Sequence, residues 1–306
     1  MTVSELLQNV IDALSLGSIY ALVALGIGLL FGILRLINFA QGDFITIGCY
    51  ALIVPSTDVT ARMLIGAWSW PVLIPSICLI VVVIALLTDV LVFRPLRRAY
   101  SPTLMIASFA VSYIIQNGVL MIYGSRPKAV NLWSELNTQI LIGGLRLPLL
   151  QIVTIAVTLV LMSVLTLFLK RTLIGIQMRA SAEDFRMAQY LGVRGNVVIG
   201  LAFAISGMLA AVVSLLYLTQ SGSLSHVMGV PLALYAFVAV VIGGMGSLVG
   251  SVAGGFLVGI IVTFLQAYLP PDLRGFRDAF AFAVVILVLL LRPAGLIQTK
   301  SAIERV

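Results

Sequence analysis

The run "PVLIPSICLIVVVIALLTDVLVF", residues 71–93, decides what kind of protein this is. It carries one charged side chain, Asp89, close to the end that leads into Arg94. About 20 apolar residues in an α-helix match the roughly 30 Å hydrocarbon core of a bilayer. The rest of the chain agrees with this run. It is 61% hydrophobic and 9% charged, with a mean hydropathy of +1.17. Soluble domains carry about 25% charged residues, so the composition places the chain in a membrane.

Working outward, apolar runs and their breakers predict nine embedded segments, at about 12–34, 43–57, 71–93, 103–123, 148–169, 197–219, 231–246, 248–269 and 278–291. The second, seventh and ninth are short for a full crossing. The fold class expected is therefore all-α integral membrane. It is a polytopic bundle of about eight to ten transmembrane or half-spanning helices, in a single domain spanning residues 1–306. The segment 124–147 and its Gly143–Gly144 pair read as a folded outer flap. No Lys or Arg precedes Arg35, so the first run lacks the positive flank of a secretory signal. It is expected to remain as a span.

Basic residues orient the chain. With the N-terminus outside, Arg35, Arg94, Arg97, Arg98, Lys170, Arg171, Arg179, Arg186, Arg194, Arg292, Lys300 and Arg305 lie in the cytoplasm. Arg62, Arg126, Lys128, Arg146, Arg274 and Arg277 remain outside. That split follows the positive-inside rule, and the C-terminus is then cytoplasmic. The net charge of +7 is explained by these loops, without nucleic acid.

Several chemistries find no support in the residues. His226 is the single histidine, with Ser223 and Ser225 nearby but no third group to complete a triad. No Cys, His and carboxylate residues cluster at metal-ligand spacing. Cys49 and Cys78 both lie in apolar runs and read as small buried hydrophobes. No glycine is followed by lysine, which excludes the phosphate-binding pattern G-x-x-x-x-G-K-[ST]. The chain is expected to be no enzyme and to hold no cofactor or metal of its own. Asp89 alone lies clearly inside a span, so intramembrane proton relays are not expected either.

Glycines at i and i+4 allow helix backbones to approach closely. Gly28 and Gly32, Gly246, Gly250 and Gly254, and Gly255 and Gly259 keep this spacing. "GGMGSLVGS", residues 243–251, reads as a helix break that lets irregular backbone line a cavity. "YALVALGIG" at 20–28 and "YAFVAVVIG" at 235–243 echo one another. Such an echo suits either an internal repeat or chance agreement in a biased composition.

Between the fifth and sixth runs lies a polar island, "MRASAEDFRMAQYLGVRG", residues 178–195. Ser181 and Asp184 fit a helix-start pattern, and Gly192 fits a stop one residue after Leu191. The spacing predicts a short surface helix over 182–191. Phe185, Ala188 and Leu191 lie along one face, with Glu183, Arg186 and Gln189 on the other. The island is either a solvated loop helix or, with its apolar face and charged rim, a docking surface.

Four stretches resemble one family. "GSIYALVALGIGLLFGILRLINFAQGDFITIGCY" (17–50), "RASAEDFRMAQYLGV" (179–193), "GGMGSLVGSVAGGFLVG" (243–259) and "RPAGL" (292–296) are similar, in this order, to LivH-type permeases. These are inner-membrane subunits of high-affinity branched-chain amino acid ABC importers. The resemblance implies four kinds of partner: a second related permease subunit in a heterodimer, two cytoplasmic ATPase subunits that hold ATP and Mg, a periplasmic substrate-binding protein, and membrane lipid. It makes segment 178–195 the coupling segment, with Ser181, Glu183, Asp184, Phe185, Arg186, Ala188, Leu191 and Gly192 against an ATPase. Gln41 stands where many relatives have His, and Ile297-Gln298 follows "RPAGL" where Phe-Gly is common. Other solutes handled by such machinery are urea, short amides and aromatic carboxylates. A stand-alone channel or secondary carrier for small neutral solutes is the alternative reading.

An amino acid passing through needs acceptors for its ammonium and donors for its carboxylate. Half-helix ends supply both. "NFAQGD" is the candidate broken element, with Asn38, Gln41 and Asp43 on the path and Gly42 as the bend. Asp43 also suits a plain helix cap. Gln116 and Asn117 are further candidate path residues, together with Ser112, Ser206, Thr263 and Gln266. Such mid-span groups also serve as bonds between helices.

Overall fold

The computed structural model describes residues 3–35, 37–56, 58, 60–97, 99–142, 145–292 and 295–297. Its helices are α1 (Val3–Leu34), α2 (Gln41–Tyr50), α3 (Trp70–Thr88), α4 (Arg94–Leu96), α5 (Ser101–Tyr123), α6 (Leu149–Arg171), α7 (Leu173–Glu183), α8 (Phe185–Tyr190), α9 (Gly195–Ser221), α10 (Gly229–Gly243), α11 (Leu248–Tyr268) and α12 (Arg277–Leu291). A π turn, Asp89–Phe93, joins α3 to α4. Among the described residues, 6 helical stretches are long and apolar enough to cross a membrane. The three short segments are helices too, α2 of 10 residues and α10 and α12 of 15 each. All nine expected segments are present.

Two boundaries differ clearly. The second segment ends as a helix at Tyr50, not near residue 57, because the chain turns there and Ile53 pairs with Met63 in a β-bridge. The first span begins at Val3, not near residue 12. Asp12 does not end the apolar helix because its carboxylate is satisfied laterally. Gln8, one turn back, donates to it at 3.2 Å, and Gln151 of α6 donates at 2.7 Å. Paired in this way, a carboxylate is tolerated within a helix that continues on both sides.

The chain divides into two compact units, 29–132 with 166–234, and 1–28 with 133–165 and 235–306. In the first, α2 lies against α3, α5 and α9. Nine of its ten residues are buried. Gly42 makes this possible, since a Cβ there would strike the Gly229 carbonyl at the start of α10. Below it, Gly48 leaves room for Ser214. Two-residue strands β1 (Lys128–Ala129) and β4 (Ser223–Leu224) pair antiparallel. Lys128 is buried and donates to the carbonyls of Ser56 and Asp58.

Asp89 is paired, but not with Arg94, the nearest basic residue in sequence. Arg94 is exposed, and it is Arg97 that grips both carboxylate oxygens, at 2.7 and 2.9 Å. The π turn and α4 intervene, and Arg97 reaches back from the turn that follows them. Asn196 accepts a further bond from Arg97. Asp89 is 3% exposed. Pairing and hydrogen bonding of this kind offset the cost of burying a charge.

In the second unit, α11 presents its glycines to α1. Gly255 meets the backbone of Ala21, and Gly259 meets that of Gly17. The two echoing segments flank the same helix, with Gly28 against Ser251 and Gly243 against Gly250. Their leading tyrosines, Tyr20 and Tyr235, stack at 5.1 Å. The expected break is present. α10 stops at Gly243, Gly244 and Gly246 take positive φ of 107° and 92°, and Ser247 caps α11 by accepting from the Gly250 N–H at 3.0 Å. Within segment 124–147 and just beyond it, β2 (Gln139–Ile142) and β3 (Leu145–Pro148) form a hairpin. The Gly143–Gly144 pair, Arg98, Lys300, Arg305, Gln298, and Pro293 and Ala294 of "RPAGL" lie outside the described residues.

The contact of α11 with α1 gives a direct test. Gly259→Val should lower the detergent melting midpoint, because overpacking costs about 1–3 kcal/mol. Gly118→Ala, where nothing lies within 4 Å of the added carbon, should leave the midpoint unchanged or raise it.

Candidate functional site

α1 ends at Leu34 and α2 begins at Gln41, so "NFAQGD" is the turn and first residues of a buried half-helix. The side chains of Asn38, Gln41 and Asp43 are all fully buried. Asn38 accepts from the Ala40 N–H at 3.1 Å, while its amide nitrogen has no partner. Gln41 makes a reciprocal pair across to α9. Its Nε2 donates to the Ser206 carbonyl at 3.1 Å, and the Ser206 hydroxyl donates to its Oε1 at 2.7 Å. Gln41 is thereby held with both ends of its amide engaged.

Asp43 behaves differently. It does not cap α2: the residue at the cap is Ala40, without a side-chain bond. Ser112 and Gln116 of α5 stand within electrostatic reach of its carboxylate. Gln116 donates instead to Ser112, at 2.9 Å, and neither Asp43 oxygen completes a hydrogen bond. A buried carboxylate with unused acceptor capacity is costly in an apolar setting. Four of the five expected path residues thus gather around the α1–α2 turn. Asn117 does not join them. It donates to the Tyr113 carbonyl of its own helix at 2.8 Å. Gln266 is occupied elsewhere, accepting from Arg277 at 2.9 Å.

The polar island is two helices rather than one. α7 runs through Ser181 to Glu183, and α8 starts at Phe185. The break lies at Asp184, whose extended backbone and carboxylate cap α8 by accepting from the Met187 N–H at 3.0 Å. The expected start at Ser181 is therefore wrong by one turn. A carboxylate accepts more strongly than a serine hydroxyl at a helix N-terminus, and Ser181 is buried inside α7. Gly192 does end the segment, at φ +92°.

The split also changes which side chains face outward. Ala188 is buried, and Phe185 is half-buried against Gly195. Met187, Tyr190 and Leu191 are exposed, the last two at 84%. Phe185 and Leu191 therefore do not share an outer face. Glu183 and Arg186 remain exposed. Beneath α7 and α8 lies a cavity of about 220 Å³ that residue spacing gave no means to foresee.

Six long apolar helices, buried half-helices and close glycine contacts define a polytopic helical membrane protein. The profile of one family, described as the permease component of branched-chain amino acid transport systems, matches residues 9–289. The chain is 32% identical to the high-affinity branched-chain amino acid transport system permease protein BraD of Pseudomonas aeruginosa, covering 98% of each chain. It is 33% identical to the corresponding permease protein LivH of Escherichia coli K12, over 98% of this chain and 97% of LivH. A galactofuranose transporter permease, YtfT of the same strain, is 26% identical over 96% of this chain. No solved structure matches. The chain belongs to the branched-chain amino acid transport permease family.

The Gln41–Ser206 pair can be tested by a double-mutant cycle. Ser206→Ala should destabilise the protein by about 1–3 kcal/mol, since it strands a buried amide oxygen. Adding Gln41→Leu should recover part of that loss in the same unfolding measurement.

Proposed function

We propose that this chain forms the translocation path of an ATP-binding cassette importer for branched-chain amino acids. ATP and Mg are held by separate ATPase subunits. The reading rests on full-length membership of the permease family, joined to one structural observation. At one end of the spans, the α7–α8 pair holds Tyr190 and Leu191 in the open. The chain has no phosphate-binding loop of its own, so energy must arrive through contact. Exposed aromatic and aliphatic side chains with a charged rim are suited to that contact.

In the proposed arrangement the whole chain acts as one permease domain in the inner membrane, with its N-terminus periplasmic and its C-terminus cytoplasmic. A related second permease subunit completes the path, and a periplasmic binding protein delivers the solute. Asn38, Gln41, Asp43 and Gln116 line the path. The substrate ammonium is matched by the free acceptor capacity of Asp43 and its carboxylate by amide donors such as Asn38 Nδ2. Branched-chain substrates are favoured by the two full-length relatives named above.

Tyr190→Asp and Leu191→Asp should each leave the chain inserted and folded, while recovery of the ATPase on co-purification falls roughly tenfold or more, as for loss of an interface anchor. Undiminished recovery sinks the docking assignment. Phe185→Asp should instead lower the melting point of the chain alone. Asp43→Asn should reduce leucine uptake in reconstituted liposomes by roughly tenfold, the scale of one charge-assisted bond. Uptake that proceeds without ATPase subunits or ATP would make the chain a stand-alone carrier.

A further inference from the structure

The cavity under the coupling segment has a composition that the transport path does not explain. Its walls come from the end of α1 (Ile33), the turn after it (Arg35), the Asp89-bound Arg97, α5 (Leu104), and the two sides of the α7–α8 break, Ser181 and Phe185. All of these belong to the same compact unit. Ser181 is 2% exposed and its hydroxyl has no partner. Arg97, with two of its nitrogens committed to Asp89 and Asn196, keeps a buried Nε–H with no acceptor. Among the described residues, the Arg35 guanidinium makes one long bond, 3.5 Å to the Glu183 carbonyl, from a backbone at φ +52°. Buried donors are normally satisfied. Here two unspent donors and a loosely held guanidinium border one space.

We propose that this cavity is a binding site for a small monocarboxylate with an apolar body. The charge balance selects a monoanion. Asp89 neutralises Arg97, which leaves Arg35 as the uncompensated charge among the lining residues. No lining residue is a carboxylate, so a zwitterion would bring an ammonium with no charged partner. Aliphatic and aromatic walls would strip water from an inorganic phosphate without replacing it. They suit a hydrocarbon tail, and about 220 Å³ exceeds what a bare anion fills. An occupant would bridge Arg35 and Ser181, on either side of the point where α7 gives way to α8. It would thereby brace the angle of the coupling segment. That consequence rests on the coupling assignment, whereas binding itself does not.

The test uses the full chain alone, in phosphatidylcholine nanodiscs, titrated calorimetrically with 4-methylpentanoate. Saturable binding is expected, with at least about tenfold weaker affinity for 4-methylpentanamide and for inorganic phosphate, since each loses the charge or the tail. Arg35→Gln should weaken binding by a similar factor. Ser181→Ala, which removes one atom and keeps the helix, should weaken it several-fold even if Arg35→Gln fails to fold. Binding should persist in phosphatidylglycerol nanodiscs. Absence of saturable binding, equal binding of the amide, indifference to Ser181→Ala, or displacement by phosphatidylglycerol each overturns the assignment. The last would identify a lipid headgroup as the occupant. Because no ATPase is present, these outcomes are independent of whether α8 docks one.

Discussion

Two backbones meet at Gly42 and Gly229 with no side chain between them. This contact is the condition on which the interior of its unit depends. In hydrocarbon, an unsatisfied backbone group costs several kcal/mol, so a ten-residue helix can persist only when fully enclosed by protein. The glycine pair lets α2 be enclosed. Once α2 is enclosed, Gln41 can reach Ser206, Asn38 can turn the chain, and Asp43 is brought beside Ser112 and Gln116. A larger residue at either glycine would move the half-helix and its polar groups together.

The polar groups around α2 differ in how they are used. Gln41 is spent on structure, with both ends of its amide bonded to α9. Asp43 and the Asn38 amide nitrogen are not spent. Within six residues, then, some polar groups hold the wall still while others keep bonding capacity, a division that the proposed path would use. Family membership gives this geometry its context, and the galactofuranose relative indicates that related sequences are linked to more than one solute.

Much of this was readable in the sequence, and the exceptions have physical causes. Nine apolar segments were legible because hydropathy is a property of runs, insensitive to single residues. The Gly243–Ser251 break is legible because three glycines within four residues, at 243, 244 and 246, weaken a helix more than close packing requires. The start of α1 was misjudged at Asp12, since a carboxylate ends a hydropathic run but not a helix whose neighbours donate to it. Segment 178–195 reads as one helix because two caps compete within four residues, and only tertiary packing shows that Ser181 is buried. The partner of Asp89 depended on a π turn, which no local pattern announces. The cavity beneath Phe185 is assembled from five separate stretches of chain, and adjacency of that kind is invisible in sequence.

The Asp89–Arg97 pair has an electrical consequence. The two charges are bonded at 2.7 Å and lie eight residues apart on a single connected segment. Any rearrangement that carries that segment along the membrane normal moves both charges together. A displaced charge exchanges about 2.3 kcal/mol with each 100 mV of membrane potential, but a displaced neutral pair exchanges almost none. Of the charges on this segment, Asp89 and Arg97 would thus add almost no voltage dependence to such a rearrangement.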